Sequence, residues 1–259
     1  MKKKERADQV AHELGLAESR EQARRLIMAG RLFLDGGRGE PLLVDKPGRM
    51  IAPDAPLLLL AKEPFVSRGA YKLLTALEYF SLDVAGLVAL DAGASTGGFT
   101  DCLLQRGARR VYAVDVGRAQ LHERLRGDGR VICLEGVNLR LAPEALIPEP
   151  VDVVTADVSF ISLTLILPPC LRWLKPGGLV AALIKPQFET GPGGARGGVV
   201  RDPELRQAAV DKVLDFARGE LPLEAIGVVP AALKGPKGNQ EYMAVWRRQP
   251  PAPLNPNQL

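Results

Sequence analysis

Histidine and cysteine are scarce in this 259-residue chain, and it has no long apolar run. The two histidines, His12 and His122, and three scattered cysteines, Cys102, Cys133 and Cys170, form no CxxC pair and no cluster with metal-ligand spacing. That argues against a zinc site. An odd number of cysteines, each in an apolar stretch, reads as reduced core thiols in a cytoplasmic protein, not a disulfide framework. No apolar run approaches the roughly 20 residues of a membrane span. The basic start MKKKERADQV has no apolar segment behind it, so it does not read as a signal peptide.

What remains is ordinary globular composition. Hydrophobic residues make up 46% and charged residues 25%, enough for one large domain or a large one with a small companion. A formal charge of +4 and a pI near 9.0 tilt the chain towards polyanions. Basic and acidic residues are interleaved, however, so the balance by itself names no partner.

The stretch 87–101, LVALDAGASTGGFTD, organises the rest. An apolar run ends at Asp91, passes a glycine-rich loop and opens into a helix through Phe99. Gly93, Gly97 and Gly98 lack the Cβ atoms that would keep a ligand away from the backbone. Ligands of open α/β sheets bind beyond the carboxyl ends of strands, so this loop marks a cofactor site. Further apolar runs follow in ARRVYAVDVG, RVICLEGVN, PVDVVTADVS and LVAALIKP, with helices expected at 99–105, 165–173 and 203–218. Strands alternating with helices predict a doubly wound, mostly parallel sheet. LEAIGVVPAAL and QEYMAVWRR, joined by KGPKGN, predict a terminal antiparallel hairpin at the sheet edge. The glycine-rich segment 187–201 has the length of a lid or a substrate-binding loop.

The first sixty residues differ from this pattern. Ser19 and Gln22 have capping-box spacing, Ala23, Leu26 and Ile27 form an apolar stripe, and Gly30 is placed to end the helix. A short strand RLFLDG, a turn-rich GGRGEP and a strand pair around LLVDKPGRMI complete a small α+β unit. The run SREQARRLIMAGRLFLDG followed by DKPG closely resembles the small RNA-binding module named after a small-subunit ribosomal protein. That resemblance implies that Arg6, Arg20, Arg24, Arg25 and Arg31 grip RNA phosphates.

The glycine loop leaves the cofactor open. It does not fit GxGxxG: Gly93, Ala94, Ser95, Thr96, Gly97, Gly98. Asp115 ends the second strand, 24 residues after Asp91, where a carboxylate can bind a ribose diol. That placement serves NAD and S-adenosylmethionine equally. Asn138, after the third strand, is placed either for adenine or simply as a turn-forming asparagine. The absent GxGxxG and the terminal hairpin favour S-adenosylmethionine, which has no pyrophosphate to cradle.

Four ionisable residues fall where strand ends meet this site: Lys72 in SRGAYKL, Asp157 in TADVSFISL, Lys185 in LIKPQFE and Glu241 in GNQEYMAVW. Singly, Lys72 suits a solvated helix and Glu241 a surface strand. Lys185 follows a continuous apolar strand and so sits at the functional edge of the sheet. Together they suit proton removal from a ribose hydroxyl: a second lysine and desolvation favour a neutral amine, while two carboxylates oppose this but orient it.

The motifs SRGAYKL, DAGASTGGFTD, DVSFISL, IKPQFE and GNQEY occur in the order and spacing of the TlyA-type, haemolysin-annotated branch of the FtsJ-like ribosomal RNA 2′-O-methyltransferases, which the chain resembles over nearly its whole length. The resemblance implies a Rossmann-like S-adenosylmethionine-dependent fold with a Lys-Asp-Lys-Glu tetrad on Lys72, Asp157, Lys185 and Glu241, Lys185 being the base. It also implies methylation of cytidine 2′-hydroxyls in ribosomal RNA, with ribosomal RNA or ribosomal subunits as partner and no metal. Cofactor contacts are expected from Asp91, Gly93, Ala94, Ser95, Thr96, Gly97, Gly98, Phe99, Asp115 and Asn138. Arg68 suits a phosphate contact or a plain surface charge. Phe160 suits either stacking on an extruded base or, more commonly for its type, the core.

The expected organisation is an RNA-binding module over 1–61, a connector over 62–70, a methyltransferase domain over 71–249 and a disordered tail over 250–259. Three other readings stay open at this point: a non-catalytic ribosome-assembly factor, a membrane-active haemolysin-like protein and an NAD enzyme.

Overall fold

The computed structural model describes residues 4–28, 30–35, 41–59, 64–191, 193–235 and 237–250. The turn at 36–40, the start of the connector at 62–63 and the tail from 251 lie outside the described residues. The chain divides into two compact units, Met1–Pro64 and Phe65–Leu259.

In the first unit the elements are β1 (Glu5–Arg6), α1 (Ala7–Glu13), α2 (Arg20–Met28), β2 (Leu32–Leu34), β3 (Leu42–Leu43), β4 (Met50–Ile51) and β5 (Leu57–Leu59). The apolar stripe of α1 and α2 buries Val10, Ala11, Ala23 and Ile27 against Leu32, Val44 and Ile51. Ser19 Oγ accepts the Gln22 N–H at 3.2 Å. Gln22 reaches back to the N–H of Glu18, one residue earlier than the usual capping box. Gly30, at φ +66°, closes α2: its N–H bonds the Ile27 carbonyl and the following Arg31 N–H bonds the Leu26 carbonyl. The strand pair expected around LLVDKPGRMI is not a pair. β3 joins β2 and β5 in one sheet, whereas β4 pairs with β1 in another.

The second unit contains α3 (Ala70–Tyr79), β6 (Val88–Ala92), α4 (Gly98–Gln105), β7 (Arg110–Asp115), α5 (Glu123–Arg126), β8 (Val131–Glu135), β9 (Val151–Ala156), α6 (Leu163–Cys170), β10 (Leu174–Ile184), α7 (Pro186–Glu189), α8 (Pro203–Glu220), β11 (Leu223–Pro230) and β12 (Tyr242–Arg248). They form one seven-stranded sheet in the order β11-β12-β10-β9-β6-β7-β8. Strands β10, β9, β6, β7 and β8 are parallel, and β12 runs antiparallel to both β10 and β11. The expected hairpin is therefore present, with its second strand inserted beside β10 and β11 at the edge.

Both faces of this sheet are covered, so its strands read as continuous apolar runs. In β6, Val88 and Leu90 face a core shared with Leu163, Leu167 and Val213. Ala89 faces the other core, with Leu73, Cys102 and Leu103. Helix α6 starts earlier and ends earlier than expected, because Ser162 Oγ accepts the Thr164 N–H and caps it.

One carboxylate lies inside the sheet. Asp91 is fully buried and receives the hydroxyls of Thr100 (2.7 Å) and Thr155 (3.0 Å). Burial pushes its carboxyl from an ordinary 3.8 up to about 6, more than the two hydroxyls pull it down. The folded state thus holds this proton more tightly than the unfolded chain. The associated stability is full below the ordinary value and is lost as pH rises through about 6. Replacing Asp91 with Asn is expected to remove that loss. From pH 4 to pH 7 the wild type should weaken relative to Asp91→Asn by roughly 2 kcal/mol in denaturant titrations. Parallel curves for the two proteins would contradict this.

Candidate active site

The chain runs out from the middle of the sheet to β8, then returns to β9 on the other side of β6. That reversal opens a crevice beyond the carboxyl ends of the strands. A cavity of about 410 Å³ lies there, lined by the ends of β6, β7, β8 and β9. Its volume suits a small-molecule ligand.

Asp115 stands at the end of β7 on the wall of this cavity. Its Oδ2 accepts the Ser95 N–H at 2.9 Å and its Oδ1 the Gly117 N–H at 2.7 Å. These bonds fix the carboxylate while leaving lone pairs for a diol. Val116, Val137, Leu139 and Ile166 supply apolar surface. Asn138 Oδ1 accepts the Arg140 N–H in a turn, and the residue lines the cavity. Gln120, which the sequence reading passed over, also reaches the wall. The loop that carries it is held by Glu135, which accepts the N–H groups of Ala119, Gln120 and Leu121. The Arg126 guanidinium, then those backbone donors, hold the Glu135 carboxyl down at about 2.

The glycine loop also answers a packing demand within the protein. A Cβ on Gly93, at φ +82°, would lie 2.9 Å from the Asp157 carbonyl oxygen. One on Gly97, at φ +96°, would lie 2.2 Å from Leu125 Cδ1, and one on Gly98 3.0 Å from the Ala70 N. These glycines let protein backbone and side chains approach each other. Gly93 and Ser95 still line the large cavity, and Gly93, Ala94, Ser95, Thr96, Gly98 and Phe99 border a smaller one of about 80 Å³. Asp91 lies beneath the loop, away from both walls. Asp101, in the same motif, accepts the Val66 N–H at 2.7 Å and Arg124 at 2.5 Å. It thereby fastens the segment whose Ser67 and Gly69 border the smaller cavity.

The four ionisable residues meet at this edge. Lys72 Nζ contacts Glu241 Oε2 at 2.6 Å, both nearly buried. Lys185 Nζ lies 2.6 Å from Asp157 Oδ1, at an angle outside hydrogen-bonding geometry, and donates to Ser159 Oγ at 2.8 Å. Strand register makes the meeting possible: Ile184 pairs with Tyr242, so the next residues out are Lys185 and Glu241. Asp157 borders both cavities, and Ser159 borders the larger one. Two lysines and two carboxylates thus stand in pairs, and one member, Asp157, borders a ligand-sized space.

Phe160 corrects the commoner expectation for its type. It is 90% exposed, at φ +64°, on the cavity rim with its ring 5.2 Å from that of Phe188. Arg68 is exposed in the segment before α3.

In the first unit the arginines divide. Arg6 forks onto the buried Asp8 at 2.9 and 3.0 Å, and Arg20 reaches the same carboxylate at 3.3 Å. Arg24 and Arg25 are exposed on α2, Arg24 within 3.7 Å of Glu21. Arg31 is half-buried beside β2 and has interactions of its own.

A mostly parallel sheet, an acidic residue at the end of β7 and an inserted antiparallel last strand define the Rossmann-like methyltransferase class. The description of FtsJ-like methyltransferases matches residues 65–248 and that of the S4 domain residues 5–38. The chain belongs to the FtsJ-like methyltransferase family and carries an S4 domain. It is 46% identical over 252 residues to the 16S/23S rRNA (cytidine-2′-O)-methyltransferase TlyA of Mycobacterium tuberculosis, covering 96% of this chain and 91% of that protein. Hemolysin A of Brachyspira hyodysenteriae is 38% identical over 245 residues, 92% of this chain and 98% of that one. The solved structure of a hemolysin-named protein from Streptococcus thermophilus superposes with a TM-score of 0.72 at 41% identity, covering 96% and 90% of the two chains. Among the described residues no helix is long and apolar enough to cross a membrane.

The packing demand at Gly97 is testable on its own. A methyl group there meets both a left-handed backbone and Leu125, so Gly97→Ala is expected to cost about 2–5 kcal/mol in denaturant unfolding. A loss below 0.5 kcal/mol, roughly the scatter of surface substitutions, would show that α5 moves aside freely.

Proposed function

We propose that this protein transfers a methyl group from S-adenosylmethionine to the 2′-hydroxyl of a cytidine in ribosomal RNA, with Lys185 as general base. The observation that carries this reading is the shared wall. Asp157 and Ser159, which touch the Lys185 ammonium, also line the cavity. Whatever fills the cavity therefore comes close to Lys185.

The residues present fit the methyl donor. Asp115 would receive the ribose diol, and Val116, Val137, Leu139 and Ile166 would flank the purine, with Asn138, Gly93, Ala94, Ser95, Thr96 and Gly98 bordering the rest. When bound, S-adenosylmethionine supplies an electrophilic methyl on a sulfonium, which needs no metal to activate it. The chain's own part is to orient the ribose oxygen and accept its proton. Lys185 does so in its amine form. Asp157 and Ser159 aim it, while Lys72, held by Glu241, sets the charge of the neighbouring wall. Phe160 and Phe188 offer ring surface at the rim for an unstacked base.

Residues 1–61 would act as the RNA-binding module, with 62–70 as connector to a methyltransferase domain at 71–249. Arg24, Arg25 and Arg31 would carry phosphate contacts, as would Arg68 on the connector. Arg6 and Arg20 would share that work with their structural hold on Asp8. Such contacts position the RNA and weaken with salt. The expected setting is the cytoplasm, on ribosomal subunits.

The test is transfer of labelled methyl to purified ribosomal subunits. Wild-type protein is expected to label RNA, and Lys185→Ala to lose ~10²–10⁴-fold in rate, the usual range for a general base, with donor affinity nearly intact. Label without any effect of the substitution would remove Lys185 from its role. No label with any subunit, despite donor binding, would overturn the proposed function. Asp115→Ala should instead weaken donor binding by roughly 10–100-fold in calorimetry, the value of a hydrogen bond to a charged group. An unchanged affinity would place the diol elsewhere.

A further inference from the structure

Glu189 is a buried carboxylate that the proposed chemistry does not use. It is 4% exposed and ends α7, the short helix that begins directly after Lys185. Its Oε2 accepts the Ser162 hydroxyl at 2.6 Å and its Oε1 the Leu163 N–H at 2.8 Å. Lys212, on α8, donates to its backbone oxygen at 2.9 Å and reaches Oε2 at 3.3 Å. A carboxylate so far from water needs such partners.

The two segments tied together here carry the reacting groups. Upstream of Glu189 stands Lys185, whose carbonyl accepts the Phe188 N–H. Upstream of Ser162 lies the loop 157–161, which supplies Asp157 and Ser159 to the Lys185 ammonium. Phe160 lies against Phe188 in the same gap. The loop has little regular structure and a left-handed residue at Phe160, so its hold on Lys185 depends on ties at its far end. The Glu189 carboxylate is the charged one.

We propose that Glu189 is a positioning residue that aligns Lys185 with Asp157 and Ser159 by clamping α7 to the start of α6. This rests on the methyltransferase reading of the site for its effect on rate, but its structural content stands separately. The charged groups around Lys185 are Asp157 at the end of β9, Lys72 on α3 and Glu241 at the start of β12, with Lys212 beyond Glu189 on α8. Displacing the 157–161 loop changes how those groups face the amine.

The experiment compares full-length wild type, Glu189→Ala, Glu189→Gln and Lys212→Met. Donor affinity is measured by calorimetry, and kcat for methyl transfer to ribosomal subunits is followed from pH 6 to 10. Glu189→Ala is expected to lose at least ten-fold in kcat with donor affinity unchanged, and to move the midpoint of the pH profile by at least half a unit. Glu189→Gln, which keeps an acceptor for Leu163, should recover most of the rate. A structural role alone would lower the rate without moving the midpoint, and that outcome overturns the proposal, as does a wild-type profile. Should Glu189→Ala fail to fold, Lys212→Met removes the half-exposed outer tie and is expected to shift the midpoint in the same direction, an unmoved one counting against. If wild type transfers no methyl, the function fails first. The crystal structure of Glu189→Gln or Glu189→Ala then decides: Lys185 still on Asp157 and Ser159 in both would overturn the clamp, and its release in Glu189→Ala would sustain it.

Discussion

Everything at the active edge depends on how closely the ends of β6 and β9 approach. Gly93 can take its left-handed turn against the Asp157 carbonyl because it has no Cβ, and the Asp157 N–H closes the gap with a 3.0 Å bond to Ala92. Asp157 is thereby fixed in the walls of both cavities. The remaining positions follow by register. β10 beside β9 brings Lys185 level with Ser159, and β12 beside β10 brings Glu241 level with Lys185. Gly98, whose Cβ would crowd the Ala70 backbone, lets the start of α3 sit close enough for Lys72 to reach Glu241. Two missing methyl groups therefore set the geometry of four charges.

Those charges do not stabilise the fold cheaply. An exposed pair such as Arg218–Asp215 contributes little, and a buried pair must offset the desolvation of both ions. Lys72 and Glu241 are almost fully buried, and Lys185 nearly so. A hydrophobic pair could fill the same space without that cost. Asp157, the partner of Lys185, lines a ligand-sized cavity, and charged groups gathered beside such a space have a reason other than stability. The same contrast holds at the cavity's far wall, where Glu135 uses its charge to gather three backbone N–H groups and so shapes a loop that has no helix or strand of its own.

The sequence made the strands and helices of the sheet legible because apolar runs are local signals, and the same runs marked Asp157, Lys185 and Glu241 as residues next to strand ends. It also showed the terminal hairpin, whose two strands are adjacent in the chain. What it hid was set by distant packing. The strands at 42–43 and 50–51 read as partners because they are neighbours in sequence, yet each completes a different sheet. Phe160 read as core by residue type, but its left-handed backbone turns it outward. Arg6 and Arg20 read as free basic groups, because nothing local marks Asp8 as buried beneath them. Ser159, Asp101 and Glu189 were visible only as letters within motifs, since their partners lie on other elements.

The glycine loop shows why cofactor class is hard to read from a motif. Glycines are usually credited to the ligand they admit. Here each missing Cβ would also collide with the protein itself: the Asp157 carbonyl, the leucines of the α5 region and the backbone at the start of α3. Glycine count and spacing therefore report how tightly strands and helices converge beyond the sheet, a demand that any doubly wound fold with a short loop would share. The discriminating chemistry sits one strand away. A braced carboxylate at the end of β7 can take a diol, and apolar walls can take a flat ring. Neither feature calls for a pyrophosphate cradle. The absence of GxGxxG therefore carried more information than the glycines that are present.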